Sequence, residues 1–468
     1  MTPKRAILIL SVALAVIGLV GLIAPQVIED EDDTASISET AQPHVVFIVL
    51  DMVRADRLSL CGYGKPTSPR LDALARDEGT ASTCRAYAPG TWTLPSHASF
   101  LTGEEVPIHG ADFILRTEGK ESVALWGEPV RPLAPRFETL AELFRERGYA
   151  TALVSGNPVV SRSADTGLAR GFDVVRETDE FGALYGDDLV DALDDALDEA
   201  ATAAKPMFVF VNISDAHHPW LPIPDGVDWV APRPGLDNRP RLADTPYPRF
   251  LRGQLGAEER AALLGHVSDS YDWAVHRADR TFGAALDLLE RRDIFRGPYR
   301  LVVTSDHGEL LGERELLGHG TFVYEAIARV PLLYRQREGS VRIDASSPVS
   351  ALAAYDLASR GALVDRQRPV RAAGFPDGLL AELFGGRFSK ANAAIWSGRE
   401  KIVASGEELA VVDLAADPGE ASPSPLPADH PRRAALERFV AQMRETAERS
   451  AAPSQEMIEA LRALGYVR

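Results

Sequence analysis

Four short apolar runs, at 45–50, 150–155, 207–213 and 299–304, stand out along the chain because each is continuous rather than alternating. Such runs mark strands buried on both faces of a sheet. Helical periodicity fills the intervals, at 133–147, at 189–204 and most extensively at 257–292. Strands alternating with helices predict an α/β fold with a large, mostly parallel mixed sheet flanked by helices. Asp51, Asp215 and Asp306 stand at the carboxyl ends of three runs, where the ligands of open α/β sheets gather. An isolated aspartate there is more often a cap or turn residue than a ligand, so the neighbouring residues decide the matter.

The pattern changes at both ends of the chain. Residues 6–24 are apolar and uncharged, preceded by Lys4 and Arg5 and followed by Pro25 and an acidic cluster at 29–33. As a helix rising roughly 1.5 Å per residue, that run would extend about 28 Å, close to the thickness of a bilayer's hydrocarbon core. Residues 1–24 are therefore expected to form a signal anchor, a transmembrane helix that keeps its basic end inside and exports the bulk of the chain to the periplasmic or extracellular side. Cleavage as a signal peptide is the alternative and would leave a secreted protein. Residues 25–42 read as an acidic linker and 43–390 as the main domain. From 391 to 468, strand-like runs at 393–396, 401–404 and 409–414 precede a helical stretch at 432–448, predicting a small α+β subdomain. Residues 219–254, rich in Pro, Arg, Gly and Asp, predict a long surface excursion bordering the active site.

Composition narrows the function. With 468 residues, 45% hydrophobic and 25% charged, the chain is of ordinary globular make-up. Its 68 acidic against 50 basic residues give a net charge of -18, which disfavours nucleic acid as a partner. A small anionic substrate stays open, because a local metal ion reverses the field inside a pocket. The two cysteines, Cys61 and Cys84, exclude a disulfide scaffold and a four-cysteine zinc site. One bridge between them and two buried thiols are equally compatible with the sequence.

The densest chemistry lies in Thr91-Trp92-Thr93-Leu94-Pro95-Ser96-His97, in Ser305-Asp306-His307-Gly308-Glu309 and in Gly318-His319-Gly320. Adjacent carboxylate and imidazole, with Asp51 at a second strand end, suit one divalent metal ion, zinc or manganese ahead of calcium, which prefers oxygen ligands alone. These segments, with Arg54-Ala55-Asp56-Arg57-Leu58, Arg329-Val330-Pro331 and the late Asp417-Pro418-Gly419-Glu420 and Leu464-Gly465-Tyr466, resemble the sulfatase family of the alkaline phosphatase superfamily. The resemblance covers roughly 44–468 and recurs in the family's order. It implies that Asp51, Asp306 and His307 ligate a metal, and that Thr93 is the nucleophile and a further ligand. His217, in Asp215-Ala216-His217-His218-Pro219, matches the family's His-x-Pro motif and is expected to contact the ester or aid the leaving group. His319 is expected beside the substrate's nonbridging oxygens and Arg54 near the nucleophile, as a substrate contact. His218 and His109 read as loop supports, and Gly308, Gly318 and Gly320 as backbone necessities.

Three departures from the family shift the expected chemistry. Sulfatases oxidise Cys or Ser at the nucleophile position to formylglycine, whereas oxidation of Thr93 at its β-carbon would give a ketone. The motif's closing Arg is His97, and Met52 stands where many sulfatases have a second metal-binding Asp. A threonine nucleophile resembles instead the superfamily's phosphodiesterases, so a metal-dependent hydrolase of phosphodiesters is expected ahead of sulfate esters. The alternatives are a membrane-anchored transferase of phosphoglycerol or phosphoethanolamine type and a noncatalytic binding protein of the same fold. In each catalytic case the partner is a small anionic ester, free or linked to a lipid or glycan.

Overall fold

Three of the predicted apolar runs pair side by side: β1 (His44–Leu50) lies between β5 (Met207–Ile213) and β6 (Tyr299–Thr304), parallel to both. The computed structural model describes residues 42–113, 123–125, 128–201, 205–218, 220–230, 246–363, 369–377, 380–381, 384 and 386–449. The expected anchor, the linker up to 41, part of the Pro-rich excursion and the terminal Leu464-Gly465-Tyr466 lie outside them. No helix among the described residues is long and apolar enough to cross a membrane.

The main sheet has eight strands, completed by β2 (Ala81–Tyr87), β3 (Ala150–Ser155), β4 (Val174–Arg176), β7 (Arg329–Gln336) and β8 (Val349–Ser350), in the spatial order β8-β2-β7-β6-β1-β5-β3-β4. Only β7 runs against its neighbours. The sheet is therefore mixed and mostly parallel, as expected. Both faces of β1 are buried: Val45, Phe47 and Val49 pack with Phe208 and Phe210 on one side, Val46, Ile48 and Leu50 with Val209 and Val211 on the other. That two-sided burial is why the run carries no polar alternation. Helix α1 (Thr93–Thr102) and α2 (Leu140–Glu146) cover the first face, α3 (Asp187–Ala200) and the 35-residue α4 (Ala257–Arg291) the second.

Register places the site. Leu50 is paired with Ile213, Val49 with Thr304 and Ser155 with Asn212, so extending each ladder past its last pair brings Asp51, Asp306, Ser214 and Asn157 to one level at the carboxyl edge.

Two expectations are adjusted. The helix expected over 133–147 begins only at Leu140, where Thr139 and Glu142 form a reciprocal capping box. The small antiparallel sheet begins before 391: β9 (Val370–Gly374) joins β10 (Asn392–Ser397), β11 (Glu400–Ser405), β12 (Glu408–Asp413) and β13 (Ser424–Pro425), with α5 (Arg433–Arg449) packed against it. Tyr87 of the main sheet stacks on Trp396 of the small one, ring centroids 4.4 Å apart. Of the two arrangements left open for the cysteines, the structure has the bridge: Cys61 is disulfide-bonded to Cys84.

Candidate active site

The turn after β1 is fixed by backbone as much as by side chains. Met52 sits at φ 63° and its N–H donates to Asp306 Oδ1 at 3.0 Å, while its carbonyl accepts the Tyr271 hydroxyl at 2.7 Å. Its side chain is wholly buried in the hydrophobic cluster that also holds Leu50, Val53 and Leu58. Gly308 is a steric necessity, since a Cβ there would lie 2.0 Å from the Ala326 carbonyl oxygen.

Asp51, Asp306 and His307 are completely buried and offer one ligand atom each within 4.8 Å of one another. His307 donates through Nδ1 to the Gly308 carbonyl at 2.9 Å, which leaves the Nε2 lone pair facing the carboxylates. Nε2 is 3.4 Å from Asp306 Oδ2 and 3.8 Å from Asp51 Oδ1. All three of these atoms are buried without a hydrogen-bond partner. Burial, together with Asp51, holds the Asp306 carboxyl well above the usual range, and burial keeps His307 neutral. Unpaired buried acceptors are costly, and three converging on one point fit a divalent cation as their shared partner.

Thr93 opens helix α1 with its side chain buried. Its Oγ1 accepts from Asn157 Nδ2 at 3.1 Å, and the same amide donates to Asp51 Oδ2. Ser214 Oγ stands 3.1 Å from that carboxylate oxygen. His97, one turn after Thr93, accepts from Asn212 Nδ2 through Nε2 and donates through Nδ1 to the Thr93 carbonyl at 3.0 Å. Burial drives its pKa down to about 4, so it fills the closing position of the motif as a neutral brace.

A histidine cluster adjoins this group. His217 donates from Nδ1 to the His218 carbonyl at 2.6 Å and stacks on Phe181 at 3.9 Å. Its ring centroid is 5.6 Å from that of His319, which is 4.4 Å from that of His307. Burial first, then the neighbouring imidazole, takes His217 and His319 down to about 3. His319 Nδ1 lies 2.6 Å from Glu309 Oε2, a carboxyl that burial pushes up to about 7.

The structure thus brings together Asp51, Asp306 and His307, ties Thr93 to them through Asn157, and sets His217 and His319 alongside. Arg54 has other work. Its nearly buried guanidinium donates to Asp56 at 2.9 and 2.8 Å, to Glu313 at 2.7 Å and to the Glu309 carbonyl at 2.8 Å, so it braces the turn after His307 where a substrate contact was expected. Asp215 is likewise absorbed structurally, by Arg277 at 3.1 Å and Thr281 at 3.0 Å on α4. Asn157 and Glu309 carry parts of the site that sequence reasoning assigned no role. His218, expected only to support a loop, joins Glu309 and His319 in a second donor group.

Comparison with known proteins gives the family and the fold. A family model described as Sulfatase matches residues 43–355. Steryl-sulfatase of Mus musculus is 34% identical over 112 residues, 24% of this chain and 17% of that protein, so the match spans well under two thirds of it. An uncharacterized sulfatase of Escherichia coli (strain K12), YidJ, is 26% identical over 372 residues, 70% of this chain and 69% of its own length. Among solved structures, the phosphonate monoester hydrolase of Agrobacterium radiobacter superposes with a TM-score of 0.59 at 17% identity, over 87% of this chain and 96% of that one.

Proposed function

The chain belongs to the sulfatase family, and we propose that within it this protein is a metal-dependent hydrolase of phosphodiesters, with Thr93 as nucleophile. The observation that carries the reading is the Thr93 hydroxyl held by Asn157 against Asp51, beside three buried, unpaired ligand atoms. Asp51, Asp306 and His307 would hold one divalent cation, with Thr93 beside it. Such a cation lowers the hydroxyl pKa and offsets charge on the transferring group.

The remaining steps belong to side chains. Thr93 Oγ bonds to phosphorus as the bond from phosphorus to the leaving alcohol breaks. The hydroxyl proton leaves to solvent as its pKa falls, and a proton from solvent reaches the leaving oxygen, where His217, protonated on Nδ1 with Nε2 open, would relay it. A water oxygen then attacks phosphorus, Thr93 Oγ departs, and the proton taken from water returns to it. Phosphorus is favoured over sulfur because a threonine lacks the oxidised aldehyde that releases sulfate by collapse. Phosphorus chemistry also occurs on this fold, in the phosphonate monoester hydrolase that superposes on the chain.

Export to the periplasmic or extracellular side, anchored by residues 1–24, is part of this reading. The Cys61–Cys84 disulfide supports it, since such bonds persist in oxidising compartments. The test is a panel of chromogenic phosphodiesters, phosphate monoesters and sulfate esters turned over by the wild type and by Thr93→Ala. Diester turnover abolished by the substitution is expected. Sulfate ester turnover exceeding diester turnover would overturn the preference for phosphorus.

A further inference from the structure

The segment that opens helix α1 is tied to the loop carrying His319 by two hydrogen bonds between residues 229 positions apart. Thr91 donates its hydroxyl to the Gly320 carbonyl, and the Gly320 N–H donates back to the Thr91 carbonyl at 3.0 Å. Thr91 is wholly buried, and the end of strand β9 packs tightly against the pair. A Cβ on Gly374 would lie 3.0 Å from Thr91 Oγ1 and 2.2 Å from the Thr321 carbonyl oxygen.

Of the two sides of this clamp, the nucleophile's is the fixed one. Trp92 donates through Nε1 to buried Asp112 Oδ1 at 2.6 Å and stacks on Phe113 with ring centroids 4.2 Å apart. His319, by contrast, lies between Gly318 at φ 90° and Gly320 at φ 126°, a stretch of backbone with little conformational restraint of its own. Its placement follows from what holds the loop at either end, the pairing of Gly318 with Leu310 and the bonds of Gly320 to Thr91.

We propose that Thr91 is a positioning residue of the active site, its hydroxyl holding the His319 loop at a set distance from the nucleophile Thr93. Thr91 acts through His319 and not on the ester. The inference rests on the proposed roles of Thr93 and His319 and adds the group that fixes one against the other. Loss of the hydroxyl deprives the buried Gly320 carbonyl of this donor. A small shift of the loop then misplaces the imidazole relative to the transferring group.

The test uses the full chain in detergent. Thr91→Val keeps the shape and removes the donor, Thr91→Ser keeps the donor, and His319→Ala is made alone and together with Thr91→Val. On the ester that the wild type turns over fastest, Thr91→Val is expected to lower kcat/KM about 10- to 100-fold. Thr91→Ser is expected to recover it to within about threefold of wild type. In the His319→Ala background Thr91→Val is expected to cost little more, because both act through one imidazole; losses that multiply would overturn the proposal. Hydrogen exchange gives a readout that needs no turnover. The amides of 318–322 are expected to exchange about five- to tenfold faster in Thr91→Val than in the wild type and Thr91→Ser. Unchanged exchange there would overturn the proposal even where activity falls. Thr91→Ala, which lacks the hydroxyl and adds no bulk, carries both measurements where Thr91→Val fails to fold. Absence of diester turnover in the wild type would contradict the phosphodiester reading alone, and the exchange result would then decide this inference.

Discussion

Asn157 holds Thr93 by its hydroxyl: the side-chain amide donates to Thr93 Oγ1 at 3.1 Å while also donating to Asp51. Asn157→Asp keeps the acceptor that caps Val159 N–H at 2.8 Å and removes the donor that aims the hydroxyl. Loss of one such positioning bond is expected to lower kcat on a phosphodiester about 10- to 100-fold with little change in KM. Steady-state kinetics check this, and an unchanged kcat would show that the amide does not aim the nucleophile.

A second prediction concerns acid. Buried His109 accepts the Ala111 N–H through Nδ1 at 3.0 Å and meets Ser99 Oγ through Nε2 at 2.9 Å, and burial takes its pKa from 6.5 down to about 3. The folded pKa is depressed, so its contribution is fully present above pH 6.5 and is lost as pH falls towards 3, at about 1.4 kcal/mol per pH unit for one group. His109→Asn removes that titration. Urea unfolding at pH 7, 6 and 5 is expected to show the stability gap between wild type and variant shrinking with acid, and a constant gap would contradict it.

Lys401 joins the small sheet to the main one from a fully buried position. Its Nζ donates to Glu420 at 2.5 Å and to the Val323 carbonyl at 2.6 Å and lies 3.8 Å from Glu325 Oε1, and Glu325 accepts from Trp396 Nε1 at 2.6 Å and from the Tyr87 hydroxyl at 3.1 Å. Lys401→Ala would leave these carboxylates buried without their cation, a loss of about 3 to 5 kcal/mol. Denaturant midpoints measure it; a change below about 1 kcal/mol would show that the pair does not hold the two sheets together.

The disulfide adds its own increment. Cys61 and Cys84 close a loop of 23 residues, for which chain entropy gives about 3 kcal/mol. Cys61→Ser with Cys84→Ser is expected to unfold at a lower temperature and to lose the wild type's sensitivity to reductant, both read in thermal melts.

Much of this arrangement was legible in the residues. The runs at 45–50, 207–213 and 299–304 fell at β1, β5 and β6 because strands buried on both faces have no room for polar residues, and their terminal Asp51 and Asp306 marked the site edge. Strand β2, Ala-Ser-Thr-Cys-Arg-Ala-Tyr, carries no such run, and β7 interrupts its apolar Val-Pro-Leu-Leu-Tyr stretch with Pro331, a residue that argues against a central strand; pairing in the sheet defines both. The boundary at 391 misplaced β9 because Val370–Gly374 is mostly small residues whose partner, β10, lies beyond it. Asn157 precedes a proline and reads locally as a cap, which it also is; its contact with Asp51 spans 106 residues. Arg54 shows the converse, since family resemblance suggested a place near the nucleophile and only the positions of Asp56 and Glu313 reveal what its guanidinium holds.

The central claim, attack by the Thr93 hydroxyl on phosphorus, is tested most directly by rapid acid quench during turnover of a phosphodiester, followed by peptide mass mapping. A phosphoester adduct on the peptide containing Thr93, absent from Thr93→Ala, is the expected result. Steady diester turnover by Thr93→Ala at wild-type rate, with no adduct on that peptide in the wild type, would contradict it.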